Sequence, residues 1–135
     1  MKSFLVLLCF VALAWSQETP ECACGGFISE WNDLFEVLHL PPINVDGCED
    51  YMTCHERCVD EWTFLTNDGD LDHELPDGKT VGQHMCDNLS EHGDVNVHPY
   101  QVFLYSNLCR GPWFYDGQGS IDKLCCLNGD YHPCF

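Results

Sequence analysis

The amino-acid sequence predicts a small, mainly α, disulfide-rich domain with three or four short helices and a C-terminal β-hairpin. Three observations support this fold class. In several segments apolar residues recur at intervals of three and four, the spacing that places them on one face of an α-helix. Ten cysteines follow the N-terminal apolar run. An Asn-Gly pair, typical of a tight hairpin turn, lies among the last of those cysteines.

Residues 1–16 have the layout of a signal peptide. Lys2 supplies the positive charge, an uncharged apolar run follows, and the small residues Ala14 and Ser16 precede a cleavage position. The apolar run is too short to span a bilayer, which disfavours the alternative of a membrane anchor. The sequence therefore predicts a secreted, extracellular protein without a transmembrane segment, in which residues 17–135 form a single disulfide-rich acidic domain.

The chain is strongly acidic, with 22 acidic residues, five basic residues and a formal net charge of −17 at pH 7. Loss of Lys2 with the signal peptide makes the charge one unit more negative. Such a charge repels nucleic acid and anionic lipid, and it attracts cations, basic proteins and mineral surfaces. Acidity also serves solubility. The hydrophobic content of 45% is too high for a disordered acidic tail.

The even number of cysteines downstream of the signal peptide predicts five disulfides in an oxidising compartment. These cysteines are Cys22, Cys24, Cys48, Cys54, Cys58, Cys86, Cys109, Cys125, Cys126 and Cys134. The pairing stays open, although adjacent Cys125 and Cys126 should bond to other partners because a bridge between neighbours is strained, and the same is expected of Cys22 and Cys24. A zinc cluster is the alternative, and the chain lacks the paired C-x-x-C motifs that would favour it.

The first two predicted helices contain most of the periodic apolar residues. Ser29–Leu40 has an N-cap serine and an apolar face, and two prolines follow it. Cys48–Leu65 has a longer apolar stripe and is the predicted main helix. Within it, Cys54 and Cys58 are four residues apart and could connect one side of the helix to two other segments.

The sequence of the second half of the domain predicts two further helices and a two-stranded β-ribbon. A short helix is expected from Thr80 to Glu91, and a third long helix from Tyr100 to Cys109, although strand-forming residues are frequent in the latter. Asp116-Gly117 and Asn128-Gly129 are hairpin-type turn sequences. A two-stranded ribbon is predicted around Leu124 to Tyr131.

The main helix contains Cys54-His55-Glu56-Arg57-Cys58, and Cys22-Ala23-Cys24-Gly25-Gly26 lies upstream. Together these segments resemble the secreted phospholipases A2. The resemblance implies that His55 would be the base that activates water and Glu56 the carboxylate that holds a calcium ion. It also implies that Gly25 and Gly26 would belong to the metal-binding loop and that Cys58 is a structural cysteine. The alternative is that His55 is a hydrogen-bonded core histidine, because it shares an apolar stripe with Tyr51 and Trp62.

Asp68, Asp70 and Asp72 alternate along a loop rich in aspartate, glycine and proline. Carboxylates on alternate residues of a flexible segment suit a hard cation such as calcium. A standard EF-hand is excluded, because His73 stands where glycine is needed and Lys79 where the bidentate glutamate belongs. The sequence thus predicts a weak calcium contact at these three aspartates, with a solvated loop as the alternative.

Two further features bear on the surface of the domain. Asn88-Leu89-Ser90 is an N-glycosylation sequon, so Asn88 is a candidate glycosylation site if that surface is exposed. Trp113, Phe114 and Tyr115 form an aromatic segment that could either bind a partner or supply the small core of a short domain.

Three functions are compatible with these features, and the sequence favours a non-enzymatic one. The first is an acidic, disulfide-stabilised extracellular protein, a matrix component or one associated with mineral or calcium, whose partner is an extracellular protein, mineral or cation. The second is a venom-type or defence effector acting on a receptor. The third is a calcium-dependent, phospholipase A2-like hydrolase that uses His55. The position of His55, open beside a carboxylate or packed in the core, distinguishes the third hypothesis from the others. The oligomeric state stays open.

Overall fold

The computed structural model describes residues 19–30 and 32–134, so the predicted signal peptide lies outside the described residues. The elements are β1 (Glu21–Glu30), β2 (Asp33–His39), β3 (Ile43–Asn44), α1 (Tyr51–Thr66), α2 (Val81–Glu91), β4 (Val97–Tyr100), β5 (Phe103–Leu108), β6 (Phe114–Gly119), β7 (Leu124–Leu127) and β8 (Asp130–Tyr131). Strands thus outnumber helices in the described part of the chain. The prediction of a small disulfide-rich domain is confirmed, and the prediction that it is mainly α is wrong.

Two antiparallel sheets form the framework. The larger one has the strand order β2-β1-β5-β6, and β3 pairs with the beginning of β1. The smaller one has the order β4-β7-β8. Helix α1 packs mainly on β5, with further contacts to β1 and β6, whereas α2 contacts β2 on one side and β7 and β8 on the other. Helix α2 therefore joins the two sheets.

Side chains alternate across β1, and its even-numbered residues face α1. Cys22, Cys24 and Ile28 are all buried on this side. Gly26 lies between them, and a Cβ atom there would lie 3.3 Å from the ring of Trp62, which is fully buried. Glycine at this position lets the largest side chain of α1 pack against the strand backbone.

Two disulfides connect β1 to α1, Cys22–Cys54 and Cys24–Cys58. Residues two apart on a strand are separated by about 6.7 Å. Residues four apart on a helix are separated by about 6 Å along its axis. Because these two repeats nearly match, both bridges form side by side without distorting either element. The expectation that Cys54 and Cys58 connect the helix to two different segments is wrong, since both reach the same strand.

The other bridges are Cys48–Cys109, Cys86–Cys126 and Cys125–Cys134. The five predicted disulfides are thereby confirmed. Adjacent Cys125 and Cys126 bond to different partners, as their geometry requires. The bridge at Cys86 fixes α2 to β7 of the smaller sheet.

Two of the predicted helices are strands. The segment Ser29–Leu40 forms the end of β1 and all of β2, which meet in a hairpin where Asn32 has a φ of 71°. The segment Tyr100–Cys109 contains β5, whose backbone pairs with β1 on one side and β6 on the other. In both cases the backbone N–H and C=O groups form their hydrogen bonds with a neighbouring strand. The local spacing of apolar residues does not reveal such pairing.

The remaining predicted elements are present. The main helix and the short helix occur as α1 and α2, and the side chain of Thr80 caps α2 by accepting a hydrogen bond of 3.0 Å from the backbone N–H of Gln83. Strands β7 and β8 form the C-terminal hairpin. Its turn residues Asn128 and Gly129 have φ values of 52° and 82°, as a two-residue turn of this type requires.

The bridges between β1 and α1 should stabilise the fold more than the C-terminal bridge does. Cys24 and Cys58 are 34 residues apart, whereas Cys125 and Cys134 are 9 apart, and the longer loop loses more entropy when it is closed. The double variant C24S/C58S should therefore lose about 1 kcal/mol more unfolding free energy than C125S/C134S. Urea denaturation of both variants measures this difference. Equal losses would contradict it.

Candidate functional site

A cluster of three polar side chains lies where α1 meets β5 and β6. The ring nitrogen Nδ1 of His55 lies 2.7 Å from Oδ1 of Asp116. The hydroxyl of Ser106 donates a hydrogen bond of 2.8 Å to the same oxygen. Ser106 is fully buried and Asp116 is 4% exposed. A buried carboxylate thus accepts two hydrogen bonds on one oxygen, one of them from a histidine.

Side-chain alternation along β6 places Asp116 at this point, because Phe114, two residues earlier, pairs with Ser106 and contacts Tyr51 of α1. The pairing of β6 with β5 becomes irregular just beyond this position. Tyr105 pairs with Tyr115 and Phe103 pairs with Gly119, so β6 uses four residue steps where β5 uses two. Gly117 accommodates the irregularity with a φ of 79°. The Asp116-Gly117 pair, predicted as a hairpin turn, therefore lies inside a strand.

The electrostatic environment of Asp116 combines opposing effects. Burial raises the pKa of this carboxyl group above its ordinary value, while the hydrogen bonds from His55 and Ser106 act in the opposite direction. The second oxygen, Oδ2, is buried and has no hydrogen-bond partner among the described residues. An ionised Asp116 would have little solvent to stabilise it, which makes it a strong acceptor for the N–H of His55.

Asp116 also determines which nitrogen of His55 can act as a base. When the ring is neutral and Nδ1 carries the proton donated to Asp116, the lone pair lies on Nε2. The side chain of His55 is 31% exposed, and no described residue forms a hydrogen bond with Nε2. His55 is therefore neither buried in the core nor fully solvated. It is held by a carboxylate on one side and is open on the other.

Aromatic side chains lie next to His55. The ring of Tyr51, one helical turn earlier, stacks with the imidazole at 6.5 Å between centroids. Phe114 contacts Tyr51 edge-to-face at 5.4 Å and is 48% exposed. The exposed part of His55 thus has an apolar flank, which suits a substrate with a hydrophobic portion.

The phospholipase resemblance assigns Gly25, Gly26 and Glu56 to a calcium site, and the structure does not place them in the arrangement that it implies. Gly25 and Gly26 lie within β1, paired with β2 and β5, so they do not form a loop. Glu56 is exposed on α1. These residues do not fit the metal loop that the resemblance implies.

Two of the three aspartates of the acidic loop have separate side-chain hydrogen bonds. Oδ1 of Asp70 accepts from the backbone N–H of Asp72 at 2.9 Å, and Oδ1 of Asp72 accepts from the hydroxyl of Tyr131 at 2.9 Å. Within residues 19–30 and 32–134, three ligand atoms of His, Cys, Asp or Glu approach within 4.8 Å only at the sulfurs of Cys22, Cys54 and Cys58. Those sulfurs are in disulfides. Asp68, Asp70 and Asp72 are not brought into one ligand set, and calcium binding by them stays a prediction.

Asn88 has a structural contact that the sequon does not indicate. It is half-buried on α2, and its side-chain amide donates a hydrogen bond of 2.8 Å to the backbone carbonyl of Val37 in β2. The contact connects α2 to the edge strand of the larger sheet. Glycosylation of Asn88 stays a prediction, and a glycan on this nitrogen would replace one of its two hydrogens.

Sequence reasoning found His55 but missed Asp116 and Ser106. The aspartate was hidden in a turn sequence, and the serine lies in a segment predicted to be helical. Comparison of the chain with protein-family models, with curated proteins and with solved structures finds no match. No described helix has the length and apolar character needed to cross a membrane. The five disulfides are typical of proteins that fold in an oxidising compartment.

Replacing the buried carboxylate should stabilise the protein at neutral pH. Because burial raises the pKa of Asp116 in the folded state, the wild type loses unfolding free energy as the pH rises above the ordinary aspartate value. Asp116→Asn keeps an oxygen acceptor for His55 and Ser106 without the charge. The variant should match the wild type near pH 3 and be more stable at pH 7, as measured by urea denaturation. Asp60→Asn, an exposed change of the same charge, is the control and should show no such pH-dependent gain.

Proposed function

We propose that the protein is a secreted hydrolase in which His55, held by Asp116, is the general base that activates water for attack on a carboxylic ester. The observation that supports this proposal is the 2.7 Å contact between Nδ1 of His55 and the buried carboxylate, with Nε2 open to solvent. A base within reach of water and oriented by a third group is the arrangement that such chemistry needs. This geometry favours the enzymatic hypothesis over the non-enzymatic one that the sequence favoured.

In the proposed reaction, Nε2 of His55 takes a proton from a water molecule as its oxygen bonds to the ester carbonyl carbon. The imidazolium that forms is stabilised by Asp116, whose carboxylate remains ionised. Collapse of the tetrahedral intermediate breaks the bond to the alcohol oxygen, and the proton on Nε2 passes to that oxygen. The products are a carboxylic acid and an alcohol, and His55 returns to its neutral form.

The flank of His55 and the charge of the chain indicate the substrate class. Tyr51 and Phe114 offer an apolar surface beside the base, which suits an ester with a hydrophobic acyl chain. The net charge of −17 opposes binding to anionic lipid surfaces. We therefore propose neutral or zwitterionic lipid esters as substrates.

A second candidate is a non-enzymatic extracellular protein that binds cations or basic partners. The observation that favours it is the charge of the chain, which has only five basic residues against 22 acidic ones. In this case Asp116 and His55 would serve packing alone, and no ester would be hydrolysed.

The experiment is an ester hydrolysis assay on the secreted, oxidised protein, with phosphatidylcholine vesicles and a soluble p-nitrophenyl ester as substrates. His55→Gln should lower kcat/KM by roughly 100-fold or more, because it removes the base. The matched control is His98→Gln, an exposed histidine on β4, which should retain wild-type activity. Parallel assays with added calcium and with chelator test the calcium prediction.

Two results would contradict the proposal. An oxidised, folded wild type that hydrolyses neither substrate, with or without calcium, would favour the non-enzymatic candidate. Hydrolysis that is equally fast in His55→Gln would place the reaction elsewhere on the protein.

A further inference from the structure

The larger sheet has a second face, turned away from α1, on which aromatic rings form a continuous patch. Its members, which we call the aromatic face, are Phe27, Phe103, Tyr105, Trp113 and Tyr115. Phe27 contacts Tyr105 at 5.3 Å and Trp113 at 4.8 Å between ring centroids. Tyr115 contacts Phe103 at 5.5 Å and Tyr105 at 5.9 Å. The patch therefore extends over β1, β5 and β6.

This face is only partly covered. Phe27 is buried beneath its neighbours, Phe103, Tyr105 and Trp113 are half-buried, and Tyr115 is 54% exposed. Helix α1 is bonded to the other side of β1 through Cys22 and Cys24. The rings on the aromatic face thus keep surface that is available to a partner.

A carboxylate lies beside these rings. Glu36 in β2 pairs with Phe27, and a Cβ atom placed on Gly25 would lie 2.6 Å from Oε2 of Glu36 and 2.9 Å from the Phe27 ring. Any side chain at Gly25 would therefore displace the carboxylate or the ring. The other oxygen, Oε1, is 3.1 Å from Nδ1 of His39, which orients the carboxylate from the far side. The Glu36 side chain is 34% exposed.

We propose that the aromatic face together with Glu36 binds an arginine side chain of a basic extracellular protein. A guanidinium can stack on an aromatic ring and at the same time donate hydrogen bonds to a carboxylate, and both groups are adjacent here. The net charge of −17 attracts a basic partner and opposes an anionic one. Neighbouring strands lie about 4.8 Å apart, so rings on three strands extend further than a single cation and suit successive side chains of a peptide.

This proposal does not depend on the proposed hydrolase. His55 and Asp116 lie on the side of the sheet that faces α1, whereas Tyr105 and Tyr115 point to the opposite side. Binding of a basic partner can therefore be measured in His55→Gln, where it should be unchanged.

The experiment measures binding of a hexa-arginine peptide to the oxidised protein by calorimetry, at about 0.1 M salt to screen distant charges. Glu36→Gln should weaken binding roughly tenfold, because it removes the carboxylate beside the rings. Glu91→Gln changes the net charge equally at an exposed position on α2 and should have little effect. In the same way Tyr115→Ala should weaken binding, while Phe64→Ala, which removes a ring that is 83% exposed on α1, should not.

The comparison between the paired variants decides the outcome. Equal losses in Glu36→Gln and Glu91→Gln would mean that the peptide responds only to diffuse negative charge, and the proposal would be overturned. Absence of measurable binding by the wild type would overturn it as well. A hexalysine peptide that binds as tightly as hexa-arginine would contradict the assignment to a guanidinium group.

Discussion

The paired disulfides between β1 and α1 are the constraint on which the rest of the structure depends. Cys22 and Cys24 face the helix from alternate positions of the strand, and Cys54 and Cys58 meet them one helical turn apart. Two bridges between the same two elements fix both their separation and their relative direction, which a single bridge would not do. Trp62 can then pack over Gly26 without any shift of the strand. In a chain with this much like charge, covalent links also oppose the repulsion that works against a compact state.

The same constraint assembles the candidate site. His55 lies between the two bridged cysteines on α1, so its ring can reach only what the sheet presents nearby. The sheet presents Ser106 on β5 and Asp116 on β6, both on the face turned toward α1. Burying the carboxylate of Asp116 costs unfolding free energy, since an asparagine would fill the same space without a charge. The two faces of the larger sheet then have different chemistry, a polar cluster toward α1 and aromatic rings with Glu36 on the other side.

The sequence predicted the helices correctly where sequence-local signals were sufficient. In α2, Thr80 caps the N-terminus and apolar residues such as Met85 and Leu89 recur at helical spacing, so both the start and the buried face could be predicted. The segment Ser29–Leu40 shows a similar apolar spacing and is nevertheless a β-hairpin. Its backbone hydrogen bonds are made by the pairing of β1 with β2, and β1 pairs in turn with β5, more than 75 residues away. A periodicity of side chains contains no information about such distant partners.

Taken alone, the amino-acid sequence determined the disulfide-rich character of the domain, the acidic charge, the C-terminal hairpin and the identity of His55 as a candidate base. These follow from composition, from turn residues and from short motifs, which are local properties. Only the tertiary structure decided which cysteines pair, that the fold is mainly β, and that Asp116, Ser106 and His55 meet. Asp116 is 61 residues from His55 in the chain, and the two come together because β6 adds to the sheet beside β5 while α1 is bonded to β1. Contacts of this kind depend on the pairing of remote strands, which no single segment of the sequence specifies.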